Sequence, residues 1–409
     1  MHYKLRIEKN MKVTDSFYDF VQKYKQEDPI KLRLKKFQDF DFDISFAIDQ
    51  IESRQKVKSK LPLWFQNKQL LFPSVLSAEQ ASSEDTAQYK HHIIDRKYKS
   101  ICDLTGGLGI DSYYLALSAE KVTYVERYLS YCDVAKHNFN ILKQNKIRVI
   151  CSDSRQYIKE CNEEFDACYI DPARRGSENK RLYDLHDCEP DIIDFQDIIL
   201  NKTPVILLKA SPMIDITRTL QDLKFVCDVH IISVKNECKE LFFIIDRNNP
   251  IGKVRIHCVN LTGEKYPDKY SFAIEDEKNR PQATLASSVQ KYLYEPNSSI
   301  LKAGAFKSVA VSFPVNKLHK NSHLYTSEEF VNEFPGRSFS VEEVIPFSGK
   351  IIKKISGLYP SANITSRNFP ISSDELRRKT KIKDGGDIYI FATTLNPDKK
   401  ILIVCRKVV

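Results

Sequence analysis

The feature that most constrains the fold is an alternation of short apolar runs with longer polar or amphipathic stretches. The first four runs are separated by segments that are long enough for helices. Strands that alternate with helices indicate a mainly parallel sheet covered on both faces. The predicted strands are 100–104, 121–126, 147–151, 165–170, 204–208, 229–234 and 241–245.

The last two runs differ from the others because only Lys235 to Glu240 separate them. This connection is too short for a crossover helix, so we expect an antiparallel pair that makes the end of the sheet mixed. The predicted fold class is therefore α/β.

The regions on either side of the sheet have other patterns. The chain before the sheet is polar and helix-like. A turn signal at 248–252 marks the end of the sheet region. The next part indicates a small α+β domain with one helix over 299–308, and the C-terminal part has the order strand, helix, strand, helix, hairpin. The hairpin joins 387–395 to 400–405. We expect a mainly helical region at 1–95, the sheet domain at 96–248, and small α+β domains at 249–340 and 341–409.

The composition excludes some classes of protein. Hydrophobic residues make up 42% of the 409 residues, which is too many for a disordered chain. No stretch approaches the roughly 18 uncharged apolar residues of a membrane span. The ten cysteines contain no CxxC and no Cys/His cluster with zinc spacing, so we expect no metal and a reducing, cytoplasmic compartment.

The net charge of +9 permits a polyanionic partner but does not require one. Two segments concentrate basic side chains: Arg54 to Lys68, which has five basic residues and no acid, and the predicted helix Asp374 to Lys383. Each is either a solvated face or a contact surface for nucleic-acid phosphates.

The strongest local signal is a glycine-rich turn after the first predicted strand. Gly106, Gly107 and Gly109 lie within four positions, shortly after Asp103 and Thr105. Such a turn lets a ligand approach the backbone and leaves the first N–H groups of the next helix available. An aspartate at its start would repel a pyrophosphate but attract an ammonium group. The turn therefore fits a ligand with a cationic amino acid end.

Acidic residues also stand at the ends of the next strands. Glu126 ends the second strand, where a carboxylate can accept hydrogen bonds from both hydroxyls of a ribose. Asp153 and Ser154 follow the third strand, where an acceptor can bind an adenine amino group. Asp171 ends the fourth strand and can accept a hydrogen bond from a substrate N–H or take its proton.

The fourth strand leads into the turn Asp171-Pro-Ala-Arg-Arg175. Pro172 fixes a backbone dihedral and removes a donor, which freezes the turn at the edge where open α/β sheets bind ligands. Arg174 and Arg175 can hold a phosphate.

Taken in order on successive strands, Asp103-Leu-Thr-Gly-Gly-Leu-Gly109, Glu126, Asp153 and Asp171-Pro-Ala-Arg174 resemble the class I S-adenosylmethionine (SAM)-dependent methyltransferases. The resemblance implies a Rossmann-like, seven-stranded mixed sheet with a reversed final hairpin. It implies that SAM is the cofactor, with its methionine end at the glycine turn, its ribose at Glu126 and its adenine at Asp153. The implied cofactor-binding residues are Asp103, Thr105, Gly106, Gly107, Gly109, Glu126, Arg127, Asp153, Ser154 and Asp171, and the implied catalytic residues are Asp171, Pro172, Ala173 and Arg174.

The turn at Asp171 corresponds to the D/N-P-P-x motif of enzymes that methylate nitrogens, with Ala173 in place of the second proline, as in some RNA-modifying members. One family branch methylates carbon 5 of uracil through a cysteine after the fifth strand. Here that strand continues Leu207-Leu-Lys-Ala-Ser-Pro212 without a cysteine, which argues against that covalent mechanism. Nitrogen methylation needs only the alignment of a lone pair behind the sulfonium methyl.

The whole chain is also similar to a bacterial methyltransferase group with a C-terminal THUMP-like domain. The likeness implies a ferredoxin-like domain followed by a THUMP-like domain, and related THUMP domains bind RNA. Ser82 to Lys90 resembles the helix that closes over SAM in cap guanine-N2 methyltransferases, although an ordinary capped helix explains it equally well. The segments that carry the likeness are 76–90, 171–175, 236–241, 294–297 and the basic C-terminal part.

Three functions fit these observations. The first is transfer of a methyl group from SAM to a nitrogen of an RNA base, in tRNA or rRNA. The second is methylation of a protein or a small molecule, for which the modest charge leaves room. The third is a non-catalytic RNA-binding protein that retains SAM, against which the presence of both Asp171 and the glycine turn argues.

Overall fold

A computed structural model describes residues 13–174, 185–249, 252–264 and 267–408 of the chain. Internal contacts divide the chain into a first unit, Met1–Val226 with Phe242–Ile251, and a second unit, Cys227–Leu241 with Gly252–Val409. The four regions predicted above remain a proposal. No helix among the described residues combines the length and apolar character that crossing a membrane requires.

The chain before the sheet is helical, as its sequence predicts. Thr14, Asp43 and Ser83 each accept a hydrogen bond from a backbone N–H of the following first turn, which fixes where three of these helices begin. One apolar cluster of this region includes Leu108, which lies in the glycine-rich turn. The helices are α1 (Asp15–Tyr24), α2 (Pro29–Leu34), α3 (Ile44–Val57), α4 (Pro62–Gln66), α5 (Val75–Gln80) and α6 (Glu84–Ile94).

The predicted alternation of strands and helices follows. Its elements are β1 (Ser100–Asp103), α7 (Ile110–Ser118), β2 (Lys121–Glu126), α8 (Leu129–Ile141), β3 (Ile147–Cys151), α9 (Ser154–Glu160), β4 (Ala167–Ile170), β5 (Ala173–Arg174), β6 (Cys188–Glu189), α10 (Ile192–Leu200), β7 (Val205–Ala210) and α11 (Ile216–Asp222). β1 pairs in parallel with β2 and β4, β2 with β3, and β4 with β7. The carboxyl ends of these strands therefore share one edge of the sheet, which is where the predicted site residues lie.

The sheet continues through β8 (Val226–Val234), β9 (Glu237–Asp246), β10 (Arg255–Leu261) and β11 (Asp268–Ala273). Lys235 and Asn236 join β8 to β9 with positive φ angles, as in a tight hairpin. The strand order is β11-β10-β8-β9-β7-β4-β1-β2-β3. The expected seven strands are therefore wrong: the sheet has nine, because β10 pairs in parallel with β8 and β11 pairs antiparallel with β10. The added strands satisfy backbone groups that β8 would expose as an edge strand.

The second unit contains a separate seven-stranded sheet. Its elements are α12 (Ile274–Asn279), β12 (Tyr292–Pro296), α13 (Ser298–Ala303), α14 (Phe306–Ser312), β13 (Asn316–Lys317), β14 (Tyr325–Ser327), β15 (Gly336–Pro346), α15 (Gly349–Leu358), β16 (Asn363–Arg367), α16 (Ser373–Thr380), β17 (Ile388–Leu395) and β18 (Lys399–Lys407). The strand order is β13-β14-β12-β15-β18-β17-β16. The predicted order of strand, helix, strand, helix and hairpin at the C-terminus is confirmed.

Two helix predictions in this unit are wrong in their extent. The helix predicted over 299–308 is two helices, because Gly304 adopts φ +69° and ends α13 before α14 begins. The basic helix ends at Thr380 and not at Lys383, because Lys381 adopts a left-handed conformation at its C-cap. A left-handed residue cannot continue a right-handed helix.

Buried Glu295 joins three strands of this sheet. Its carboxylate accepts hydrogen bonds from Arg337 Nε at 2.9 Å and Arg367 Nε at 3.0 Å. These contacts link β12, β15 and β16, and Glu295 itself is 2% exposed. The segment 294–297, which carries part of the family likeness, therefore has a structural role in this unit.

Candidate active site

Asp103 ends β1 and is almost completely buried. Its carboxylate accepts hydrogen bonds from the backbone N–H of Thr105 at 3.0 Å and from Ser112 Oγ at 2.5 Å. Burial, together with the nearby carboxylates of Asp111 and Asp171, raises the pKa of Asp103 to about 7, although the two hydrogen bonds oppose this shift. Both hydrogen-bond donors are neutral, so the site offers a buried carboxylate that a cationic ligand would stabilise as an anion.

The glycine turn is packed tightly against β2 and α8. A Cβ atom on Gly106 would overlap the ring of Tyr124, whose hydroxyl donates a hydrogen bond to the carbonyl of Gly107 at 2.7 Å. Gly107 has φ +53°, and a Cβ atom there would lie 3.7 Å from the carbonyl oxygen of Thr105, while Gly109 has φ +87° at the N-cap of α7. A Cβ atom on Gly109 would lie 2.8 Å from Phe139 Cζ. The turn is therefore held in one conformation by close packing and by the hydrogen bond from Tyr124.

Glu126 at the end of β2 is bonded directly to this turn. Its Oε2 atom accepts a hydrogen bond from the N–H of Gly107 at 3.1 Å, and Oε1 accepts one from the N–H of Tyr128 at 3.0 Å. The guanidinium of the neighbouring Arg127 pairs with Glu189 at 2.7 Å and lies over the ring of Tyr128. The structure thus brings Glu126 to the glycine turn and attaches Arg127 to β6.

The predicted adenine-binding residues occupy the start of α9. Asp153 is the N-cap, and its Oδ1 atom accepts hydrogen bonds from the N–H groups of Arg155 at 2.9 Å and Gln156 at 3.1 Å. Ser154 is the first residue of this helix. The side chain of Asp153 therefore has a structural role as a helix cap in addition to the binding role that the resemblance implies.

Asp171 lies directly after β4 and is joined to the glycine turn and to β7. Its backbone N–H donates a hydrogen bond to Thr105 Oγ1 at 2.7 Å, and its Oδ2 atom is 2.6 Å from Lys209 Nζ. Pro172 follows, and Ala173 with Arg174 forms β5, which pairs antiparallel with β6. Arg175 lies outside the described residues. Thr105 thus connects the first and fourth strand ends.

Sequence reasoning missed Lys209. The signal for it is a single lysine in the otherwise apolar strand Val205–Ala210, where a charged side chain is unexpected. The resemblance drew attention to this strand for the cysteine that it lacks, and not for the cation that it carries.

A buried ion pair joins α6 to α7, the helix that follows the glycine turn. Lys90 Nζ of α6 is 3.0 Å from Asp111 Oδ1 of α7, and Ser82 Oγ donates a hydrogen bond to Asp111 Oδ2 at 2.6 Å. Burial opposes ionisation of Asp111, but Lys90 and Lys209 outweigh it and hold its pKa at about 2. The segment that resembles a cofactor-closing helix is therefore anchored to α7 at both of its ends.

The first residue of the basic segment Arg54 to Lys68 has neither of the two predicted roles, a solvated face or a phosphate contact. Arg54 is 4% exposed and donates hydrogen bonds to the carbonyl oxygens of Phe65, Asn67, Lys68 and Leu70. Arg54 therefore closes a loop of backbone and is not available to phosphates.

The basic residues near the C-terminus divide into paired and unpaired groups. Arg377 pairs with Asp384, and Lys379 pairs with Glu375. In the described part of the chain, six exposed basic residues on or next to α15 and α16 form no ion pair, and we call them the α15/α16 basic face. They are Lys350, Lys353, Lys354, Arg378, Lys381 and Lys383.

Comparisons with known proteins identify the families that this chain resembles. Residues 292–335 match a ferredoxin-like domain family, and residues 336–407 match the THUMP domain-like family. A protein from Porphyromonas gingivalis W83 whose crystal structure is described as that of a methyltransferase is 37% identical, with a TM-score of 0.88 over 96% of this chain and 98% of that one.

Shorter segments match curated methyltransferases. The ribosomal RNA large subunit methyltransferase K/L of Shewanella pealeana is 33% identical over 117 residues, which are 26% of this chain and 16% of that protein. An uncharacterized RNA methyltransferase of Mycoplasma mobile is 36% identical over 80 residues, which are 20% of this chain and 22% of that protein. The chain thus matches only about a fifth of the length of these relatives. Together with the likeness over nearly the whole chain, the comparisons show that the chain belongs to the class I SAM-dependent methyltransferases of the group with C-terminal ferredoxin-like and THUMP-like domains.

Proposed function

We propose that the protein transfers a methyl group from SAM to a nitrogen of an RNA base, in tRNA or rRNA. The observation that carries this proposal is the position of Asp171. Its backbone is bonded to Thr105 of the glycine turn, and one oxygen of its carboxylate is held by Lys209. A carboxylate fixed in this way can accept a hydrogen bond from a substrate N–H next to the cofactor.

The residues at the strand ends fit SAM. Asp103 supplies a buried carboxylate with neutral donors around it, which suits the ammonium of the methionine end. Gly106, Gly107 and Gly109 are the proposed contacts of the methionine end, and the absence of a Cβ atom at Gly106 and Gly109 lets this turn pack against Tyr124 and Phe139. The proposed ribose contacts are Glu126 and Arg127, and the proposed adenine contacts are Asp153 and Ser154. When bound, SAM supplies a methyl group on a sulfonium whose bonding electrons return to sulfur.

The chain's own groups orient the acceptor. Asp171 holds the substrate N–H, and Pro172 fixes the backbone of the turn that we propose as the catalytic segment, Asp171 to Arg174. No protein nucleophile is required, because the aligned nitrogen forms the new bond with its own lone pair, and the proton of its N–H is then released to solvent water. β7 and the two residues after it contain no cysteine, so the covalent step of the uracil-methylating branch has no thiol nucleophile at this place.

The α15/α16 basic face supports RNA as the substrate. Ile355 of α15 and Leu376 of α16 pack into one core cluster over the second sheet, so both helices cover the same face of that sheet and their exposed sides point away from it. The six exposed cations on or next to these helices can contact phosphates of a polyanion. The names of the curated relatives, which are RNA methyltransferases, agree with this substrate class.

The test is incubation of the full chain with total RNA and labelled SAM, followed by mass spectrometry of the nucleosides. We expect label in one base-methylated nucleoside, and we expect Asp171→Ala to reduce its formation by about 100-fold or more even at saturating SAM. The matched control is Asp197→Ala, which removes an exposed carboxylate paired with Lys224 in the same unit and should leave transfer unchanged. Label in ribose, in protein or in a small molecule would contradict the proposal.

A further inference from the structure

Lys209 is a cation in an apolar strand. Its neighbours in β7 are buried, and its own side chain is only 11% exposed. An ammonium group is costly to remove from water unless a partner compensates it. The partner here is Asp171 Oδ2, at 2.6 Å.

The contacts of Asp171 fix its orientation from two directions. Thr105 Oγ1 holds the backbone N–H, and Lys209 Nζ holds Oδ2. The side chain of Asp171 remains 34% exposed. Among the described residues, the bonded oxygen is Oδ2, so Oδ1 is the atom that a hydrogen-bond donor from outside can reach.

The pair also sets the charge of the site. Asp103, Asp111 and Asp171 are three carboxylates, and Lys90 and Lys209 are two ammonium groups that pair with the last two of them. Asp103 forms no ion pair within the described part of the chain, so it is the carboxylate with which a cationic ligand can pair. The pair of Asp171 with Lys209 is close to neutral, as a side-chain amide would be.

We infer that Lys209 is a positioning residue for methyl transfer: it orients Asp171 Oδ1 toward the substrate N–H and neutralises the carboxylate, and it exchanges no proton itself. This inference rests on the proposed function. It predicts that an uncharged acceptor can replace the pair, provided that both charges are removed together.

The test is a double-mutant cycle of Lys209→Met, Asp171→Asn and the combined variant, with single-turnover transfer to the RNA that the wild type methylates. We expect each single variant to lower the transfer rate by about 100-fold, because one charge of the pair loses its partner and the acceptor moves. The combined variant should recover at least about tenfold over either one, since coupled residues are not additive. RNA affinity and SAM affinity should change by less than about threefold in Lys209→Met, because the pair acts on orientation and not on uniform binding.

Lys224→Met is the matched control, because Lys224 forms an exposed ion pair with Asp197 in the same unit, and its transfer rate should equal that of the wild type. Urea unfolding of every variant separates a loss of folding from a loss of transfer. A combined variant no faster than Lys209→Met would overturn the inference, because Lys209 would then act in its own right. A wild type that methylates no RNA would instead refute the proposed function, and with it this role.

Discussion

At the scale of single residues, the buried carboxylate of Asp103 makes stability depend on pH. Its pKa is raised to about 7 by burial, whereas an unfolded aspartate titrates near about 4. Between these values the folded chain binds more protons than the unfolded chain, so this group's contribution to the free energy of unfolding falls as the pH rises. We expect Asp103→Asn to raise the free energy of unfolding at pH 8 by about 2 to 4 kcal/mol and to change it little at pH 4.

Urea unfolding of both proteins across this range measures the difference, in which the titration of all other groups cancels. The same substitution should weaken SAM binding by about tenfold or more, because the ammonium of the cofactor loses its anion. An equal pH slope in the two proteins would show that Asp103 is ionised in the folded chain without cost. Asp103→Asn should therefore increase stability and weaken SAM binding together, because the buried carboxylate is kept for a cationic ligand at a cost in stability.

Lys209 and Arg54 show what the sequence cannot predict at this scale. The roles proposed for Asp103, Glu126 and Asp171 follow from strand ends, which the hydrophobic pattern locates. Lys209 lies within a strand, and its partner is 38 residues away along the chain. The local sequence around Arg54 is that of a solvated basic residue. Its carbonyl acceptors lie 11 to 16 residues further along the chain, and only the folded structure brings them to the guanidinium. Long-range pairs of this kind leave no periodic signal.

At the scale of elements, Arg54 fixes the segment between α4 and α5 to α3. It is the donor to four carbonyl oxygens of residues 65–70, and burial lowers its pKa to about 10 without removing its charge at neutral pH. We expect Arg54→Met to lower the free energy of unfolding by about 3 kcal/mol, because buried carbonyls lose their donors. Lys58→Met, at the exposed C-cap of the same helix, should change it by less than about 0.5 kcal/mol.

Denaturant unfolding of both variants checks this prediction. Arg54→Lys is an informative intermediate, because an ammonium has three donors but cannot reproduce the planar fork of a guanidinium. If the lysine variant were as stable as the wild type, the geometry of the fork would not matter to this segment. An Arg54→Met variant with unchanged stability but weakened RNA binding would instead favour the phosphate-contact role predicted for this segment.

The elements themselves were largely predictable, with informative exceptions. The strands at 100–103 and 121–126 coincide with short apolar runs because burial on both faces requires continuous apolar sequence. The break at Gly304 was missed because glycine only permits a left-handed conformation and does not require it. The extension of the sheet by β10 and β11 was missed because which strand covers an edge is decided by tertiary pairing, and not by local pattern.

At the scale of the whole molecule, the distribution of charge determines attraction of a polyanion more than the net charge of +9 does. Many lysines and arginines are paired with acids, as Lys291 is with Glu328 and Lys253 with Asp276, and these contribute little to attraction of a polyanion. The α15/α16 basic face concentrates six cations without acidic partners among the described residues. Binding through phosphates releases counterions, so its strength should fall steeply with salt in proportion to the contacts made.

We therefore expect the triple replacement Lys353→Gln, Lys354→Gln and Arg378→Gln to weaken RNA binding at all sequences and to reduce the salt slope by about 2 to 3, because each lost phosphate contact removes roughly 0.7 to 0.9 from it. Titration of labelled RNA at several salt concentrations measures the slope. Transfer at saturating RNA should stay at the wild-type rate, because these residues lie outside the strand ends that hold Asp171.

The control is the double replacement Lys253→Gln and Lys291→Gln, which removes paired cations of the same unit and should leave the slope unchanged. An unchanged slope in the triple variant would mean that phosphates are bound by another surface, whereas a lost transfer rate at saturating RNA would mean that this face also aligns the base.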